Sequence, residues 1–175
     1  MRNIINAKRI NQITTFLKSL NIKSKRFSEI IKTENISIIQ DFNQAFIHSS
    51  EDEIINYEKL EFFGDAVLRL AASHFIEKKY PQMSVGERSE LRSQIVSDEW
   101  LTKLGGEIEI DKLIIKGPKA LGDKNSKNTI IGEATEALIG AVYKCFNSIQ
   151  EINLWLDDIW AVSYTHLTLP TRLMV

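Results

Sequence analysis

One cysteine, Cys145, stands alone among 175 residues. A single thiol excludes an intrachain disulfide and a zinc cluster built on cysteines. The opening MRNIINAKRINQ has no apolar core of the kind a secretory signal requires, and no apolar run approaches the length of a bilayer span. A soluble, cytoplasmic chain with no membrane partner is therefore expected. Neither sign of charge dominates, since 22 basic and 23 acidic residues leave a net charge of −1. That balance makes no global case for a nucleic-acid partner, although a local basic stripe would serve one. Strand-type alternation is weak throughout, so the expected class is all-α. The length and the 43% hydrophobic content suit one domain with a proper core.

Periodicity divides the chain as follows. Residues 8–20 read as an amphipathic helix with Ile10, Ile13, Phe16, Leu17 and Leu20 on one side. Residues 21–35 read as a polar loop with a short turn of helix. A helix over 36–48 turns Ile39, Phe42 and Phe46 inward, and an acidic loop follows over 49–55. The long helix that comes next ends before Pro81. Ser84 and Glu87 have capping-box spacing and open a helix that buries Leu91, Ile95 and Val96. Ser97 or Asp98 caps a short helix carrying Trp100, Leu101 and Leu104, which Gly105-Gly106 should stop. Residues 111–115 are short and apolar, without a clear type, and 117–128 form a basic loop. A long helix runs from Ser126 or Asn128 to about 147, and a last one covers 149–160. The tail 162–175, VSYTHLTLPTRLMV, departs from the Ile/Asn/Lys bias upstream and reads as a translated adapter. The expected domain is 1–161 with its core at about 10–147, followed by an unstructured, non-native tail.

One more absence directs attention to a site. In the stretch 56–68, NYEKLEFFGDAVL, the one cation, Lys59, does not share a helix face with the acids. At 100° per residue, Glu58, Glu61 and Asp65 fall within roughly 60° of one another, and Lys59 points away. Leu60, Phe63, Val67, Leu70, Ala71 and Phe75 fill a wide apolar arc elsewhere. Three like charges on one face repel. Two readings follow: a solvated acidic face, or a seat for a hard cation that turns repulsion into coordination. A second helix, 129–143, carries Glu133 and Glu136 on one face, flanked by Gly132, Ala137 and Gly140. Gly64 lies beside the first acidic arc in the same way. Small residues there are expected to let the two helices approach closely and pool their carboxylates. Neither helix has the Glu-x-x-His pair of a di-iron bundle. An all-oxygen donor set favours Mg²⁺, with Mn²⁺ as a substitute.

LEFFGDAVL, the AFIHSS (45–50) and LRSQIVS (91–97) segments on either side of it and the Glu133-x-x-Glu136-Ala137 helix, in that arrangement, make the chain resemble the ribonuclease III family of double-stranded-RNA endonucleases. LEFFGDAVL is similar to the family signature, and Glu133-x-x-Glu136-Ala137 to its second acidic segment. AFIHSS (45–50) and LRSQIVS (91–97) are similar to the boxes that flank the signature. The resemblance spans roughly residues 10–147. It implies an all-α endonuclease domain forming a homodimer. It also implies hydrolysis of phosphodiester bonds in double-stranded RNA with Mg²⁺, leaving 5′-phosphates and two-nucleotide 3′ overhangs, in work such as rRNA precursor maturation. By position it makes Glu61, Asp65, Glu133 and Glu136 metal ligands, with Asp65 and Glu136 catalytic and Glu58 a secondary acid. Glu133 stands where the family usually has Asp; its extra methylene lengthens the reach and leaves three alternatives open, direct binding of the metal, binding through a water, or poor binding. The family's C-terminal double-stranded-RNA-binding domain is not among these residues.

RNA contact is expected from Lys116, Lys119, Lys124 and Lys127, which cluster before the second acidic helix with Asp123 the one acid among them. Arg92, with Arg88, lies on the preceding helical region. Duplex RNA is read mainly through phosphates and 2′-hydroxyls, and the alternative for the lysines is a solvated loop. Phe62 lies about 100° from Glu61, outside the main apolar arc. By resemblance it enters a pocket on the partner subunit; otherwise it packs under a local loop. His74 reads as a hydrogen-bonded core histidine, His48 as local packing and Cys145 as a core thiol, while His166 belongs to the tail. Two other functions stay open. One is a catalytically weak, dimeric RNA-binding scaffold, and the other a helical carboxylate metal-binding protein unrelated to RNA.

Overall fold

Two long helices crossing at glycine form the centre of the molecule. The computed structural model describes residues 5–121 and 126–164, the side chains of Lys119, Ser163 and Tyr164 excepted. In chain order the helices are α1 (Ala7–Ser19), α2 (Lys25–Lys32), α3 (Ile36–Gln44), α4 (Glu58–Lys79), α5 (Val85–Ile95), α6 (Asp98–Glu107), α7 (Pro118–Leu121), α8 (Lys127–Phe146) and α9 (Ile149–Tyr164). A 3₁₀ turn, Ile110–Lys112, joins α6 to α7. Among the described residues no strand forms, and the one isolated bridge is parallel, between Ile47 and Ile115. No helix there is long and apolar enough to cross a membrane.

Local chemistry sets most helix starts. Asn6, Ser24, Asn35, Ser84 and Ser97 each accept a backbone N–H in the first turn of the helix that follows. Ser84 and Glu87 complete the expected reciprocal capping box. At α4 the cap comes from one residue further back: the buried Asn56 accepts the Glu58 N–H at 3.0 Å and donates to the Asp52 carbonyl at 2.9 Å. Asn147 ends α8 in the left-handed conformation, at φ 49°.

Around the central pair the core is continuous. The α4–α8 contact is antiparallel, because Leu60 meets Gly140 while Gly64 meets Glu136. Against the other side of α8, α6 runs parallel: Thr102 bonds the Asn128 carbonyl and Gly105 meets Ile131 and Thr135. Trp160 of α9 is fully buried, donates to the Ile95 carbonyl at 3.0 Å, and stacks near Phe75 and Trp100. Arg9 of α1 bonds both Asn43 Oδ1 and the Leu113 carbonyl, tying α3 to the 3₁₀ turn.

Several expectations need correction. Residues 21–35 hold a full helix, α2, whose Phe27 and Ile31 are buried against the core. The third helix stops at Gln44, short of 48, because residues 46–48 instead pair with Ile115. Gly105-Gly106 does not stop α6, which runs on to Glu107. Gly105 is there for packing, since a Cβ would lie 2.5 Å from Ile131 and Thr135 side-chain atoms. The basic loop contains α7, and α9 continues through residues 162–164, beyond the point where the composition break starts the tail. Residues 165–175 lie outside the described part, and His166 with them.

Candidate functional site

The acidic face of α4 meets that of α8 because nothing stands between the two backbones. A Cβ on Gly64 would lie 2.0 Å from the Glu136 carbonyl oxygen, and one on Gly140 would lie 2.4 Å from that of Leu60. Only hydrogen fits at either place. Gly132, expected at this contact, instead faces Leu101 and Thr102 of α6. The α4–α8 approach puts Glu58, Glu61, Asp65, Glu133 and Glu136 around one cavity of about 580 Å³, which His48, Ser49, Tyr57 and Phe62 also line. A second cavity of about 610 Å³ shares Glu61, Glu133 and Glu136 with the first and extends toward Asp98 and Glu99 of α6.

Electrostatics in this space reflect a surplus of negative charge. Burial pushes the Glu61 carboxyl up to about 7, and Glu133 and Glu58 add to the shift. Burial also pushes Glu136 up to about 7; Asp65, Glu61 and Asp98 add to it and Arg69 opposes. The two remaining principal acids are held by protein partners. Asp65 accepts both contacts from Arg69 Nε, at 2.8 and 3.0 Å. Glu133 Oε2 accepts a 2.5 Å hydrogen bond from the Tyr57 hydroxyl. Burial and then Glu133 itself hold the Tyr57 phenol far above its ordinary value, so it remains a donor. Among the described residues, no three acidic, His or Cys groups are gathered closely enough to hold a metal ion as they stand. The donor set is nonetheless hard, anionic and crowded, which is the chemistry a divalent cation relieves.

The sequence profile of the ribonuclease-III-like family matches residues 40–152. The chain belongs to that family. Ribonuclease 3 of Prochlorococcus marinus is 43% identical over 159 residues, covering 91% of this chain and 64% of that protein. Ribonuclease 3 2 of a Synechocystis species is 40% identical over 114 residues, 65% of this chain and 47% of that protein. The chain thus spans between about half and two thirds of the length of these relatives. Among solved structures, a nuclease domain of ribonuclease III from Campylobacter jejuni superposes with a TM-score of 0.62. It is 23% identical, over 90% of this chain and 94% of that one. Dicer from Pichia stipitis gives 0.58 at 24% identity, over 74% and 57%. These two show a shared fold.

Within this ribonuclease-III-like domain, the upstream box is clamped to the segment before α7. The His48 N–H bonds the Ile115 carbonyl, and Ile115 N–H bonds that of Phe46. His48 Nδ1 accepts the Ser50 N–H at 3.0 Å, so the Ser50 hydroxyl also donates to it, and the ring proton sits on Nε2. Ser50 Oγ in turn accepts the Gly117 N–H, where a Cβ would lie 2.1 Å from the Ser50 carbonyl. His48 also meets the Tyr57 ring edge-on. Its expected packing role therefore includes setting the wall beside Glu133.

The proposed RNA contacts are less assembled. Lys127 is exposed, with its Nζ 3.8 Å from Asp111, and Lys116 is half-buried. Arg92 turns onto α4 and bonds Ser73 at 3.1 Å, while Arg88 bonds the Pro81 and Met83 carbonyls. The Lys119 side chain, Lys124 and Asp123 lie outside the described residues. Phe62 is 85% exposed, so it does not pack under a local loop. Phe63 and Leu70, expected inside, are 39% and 47% exposed. Neighbouring helices cover only part of the apolar arc of α4, and Phe63 meets the Tyr143 ring in a T-shaped contact at 5.4 Å. His74 is hydrogen-bonded to Asn153, and burial pushes the Cys145 thiol up to about 11, which favours the neutral form.

Sequence reasoning missed three contributors. Arg69 carries a readable signal, four residues after Asp65 on one helix. Asp98 reads locally as a cap, and nothing nearby in sequence connects it to Glu136. Tyr57 is 76 residues from Glu133 and has no local signal at all.

Proposed function

We propose that this domain is an endoribonuclease that hydrolyses phosphodiester bonds of double-stranded RNA, with products ending in 5′-phosphate. In this reading it works in the cytoplasm, as a homodimer, on substrates such as rRNA precursors. The observation that carries the reading is the pooling of carboxylates from α4 and α8 around one cavity in a ribonuclease-III-like domain. Glu61, Asp65, Glu133 and Glu136 would hold Mg²⁺, or Mn²⁺ in its place, with Glu58 at the margin. When bound, the ion supplies a polarised water and a stabilised leaving oxygen, the two needs of phosphodiester hydrolysis. The protein's own part is positional. The Gly64–Gly140 approach fixes the distance between the acidic faces. Until charge is neutralised, the acids repel RNA phosphate. Lys116, Lys119, Lys124, Lys127 and Arg92 are the candidates for backbone contacts, which are salt-dependent. For the homodimer, the support is the exposed Phe62 beside the cavity; the nuclease domain from Campylobacter jejuni has a region involved in dimer formation.

The test is cleavage of an end-labelled RNA duplex with and without Mg²⁺, for the parent chain and for Glu136→Gln. The substitution keeps size and removes charge. We expect metal-dependent cleavage by the parent, and a fall of about 10²-fold or more in the variant with fold and duplex binding retained. Cleavage by Glu136→Gln at the parental rate would end the catalytic reading. A second reading, a dimeric RNA-binding scaffold that cuts weakly, is favoured by the engagement of Asp65 with Arg69 and Glu133 with Tyr57. Duplex binding without cleavage in Mg²⁺ or Mn²⁺ would select it.

A further inference from the structure

We propose that Tyr57 is a positioning residue for Glu133, and that the two form a matched pair in which the longer acid is required to reach the phenol. The proposal rests on the cation reading of the site. Tyr57 is 2% exposed and is held on two sides. Its backbone N–H bonds the Ile47 carbonyl at 2.9 Å, and its ring meets His48 edge-on at 5.6 Å. The hydroxyl therefore has a fixed location, and it donates to Glu133 Oε2 at 2.5 Å. The contact joins the start of α4 to α8, 76 residues away in sequence.

A buried phenol needs a partner, and a carboxylate partner gives a charge-assisted bond. That bond takes one of the two Glu133 oxygens and fixes the orientation of the group in the cavity wall. Hydrogen-bond partners of metal-holding carboxylates act in this way, and their loss costs metal affinity. An aspartate at 133 is one methylene shorter, so on this backbone its carboxylate falls short of the phenol. Shortening the side chain would then strand a buried hydroxyl and free the carboxylate together. The shorter acid is accordingly a loss for this chain, even though Asp is usual at the matching place in the family.

The experiment is calorimetric titration of the metal-free full chain with Mn²⁺ at fixed pH, for the parent, Tyr57→Phe, Glu133→Asp, Glu133→Ala and Tyr57→Phe/Glu133→Ala. Circular dichroism and melting temperature are measured for each. We expect Tyr57→Phe, which keeps the ring and its packing, to weaken Mn²⁺ binding by about tenfold. Glu133→Asp should weaken it comparably, and the double variant should bind no worse than Glu133→Ala alone. Parental affinity in Tyr57→Phe would overturn the proposal. So would an equal loss from Tyr57→Phe in the parent and in the Glu133→Ala background, since that is the mark of a general structural role. Tighter binding by Glu133→Asp would overturn the matched pair. Absence of Mn²⁺ binding in the parent would overturn the cation reading itself, and this inference with it.

Discussion

At the scale of the residue, the site is defined by which acids have partners. Arg69 is the cation facing Asp65, and it also lowers the proton affinity of Glu136. Its pair with Asp65 is largely exposed, at 55% and 38% for the two side chains, so little stability depends on it. Arg69→Gln should change the urea midpoint by the equivalent of less than about 1 kcal/mol. Removing the positive charge should move the Glu136 titration upward, away from the ordinary carboxylate range. Carboxyl NMR titration of the metal-free protein reads this directly, and a downward movement would contradict the arrangement. Arg69 is legible in the sequence, because i,i+4 acid–base pairs meet on a helix.

At the scale of the element, the α4–α8 crossing is the feature that makes a site out of two acidic faces. Its tolerance is set by backbone atoms, which cannot rotate out of the way. Gly64→Ala brings a methyl against the Glu136 carbonyl and must move α8. We expect a loss of about 1–3 kcal/mol or a failure to fold. Gly106→Ala provides the contrast. A Cβ there meets nothing within 4 Å, and the residue lies in the last turn of α6. That substitution should stabilise by about 0.5–1 kcal/mol, as helical Gly→Ala changes do. Urea unfolding of the two variants side by side checks both the sign and the difference. Equal and small effects would mean that the helices cross more loosely than described.

For the whole molecule, two properties depend on the site and the surface beside it. The first is stability against pH without metal. Glu61 and Glu136 have folded-state values of about 7, raised from 4.5. Between those values the folded chain holds protons that the unfolded chain releases. Stability therefore falls as pH rises through this window, and the cost is fully present above it. Melting temperature of metal-free protein should decline from about pH 5 to about pH 8, and Mg²⁺ should restore it at the upper end. Glu61→Gln/Glu136→Gln should flatten both effects, and a rise with pH in the parent would refute the sign. The second property is assembly. Phe62 is 85% exposed and adjoins the partly exposed Phe63. Phe62→Ala should weaken a homodimer by about 2 kcal/mol or more with the monomer's stability unchanged. Sedimentation at micromolar concentration distinguishes this from an unaltered dimer.

Sequence alone determined the all-α class, most helix boundaries, the Ser84–Glu87 cap and the two acidic faces. These follow from spacing along one helix, where angular position depends only on residue separation. The close approach at Gly64 and Gly140 was legible for the same reason, since small residues in register on two faces permit contact. Tertiary structure alone decided what covers each face. Phe63 and Leu70 share the apolar arc of α4 with Leu60 and Phe75, yet only the latter two are buried. Gly132 turned out to face α6, and Asp98 to add charge near Glu136. Tyr57 took hold of Glu133 from a distant part of the chain. A spacing rule gives the direction of a side chain but not the neighbour that waits there, because that neighbour arrives through long-range packing.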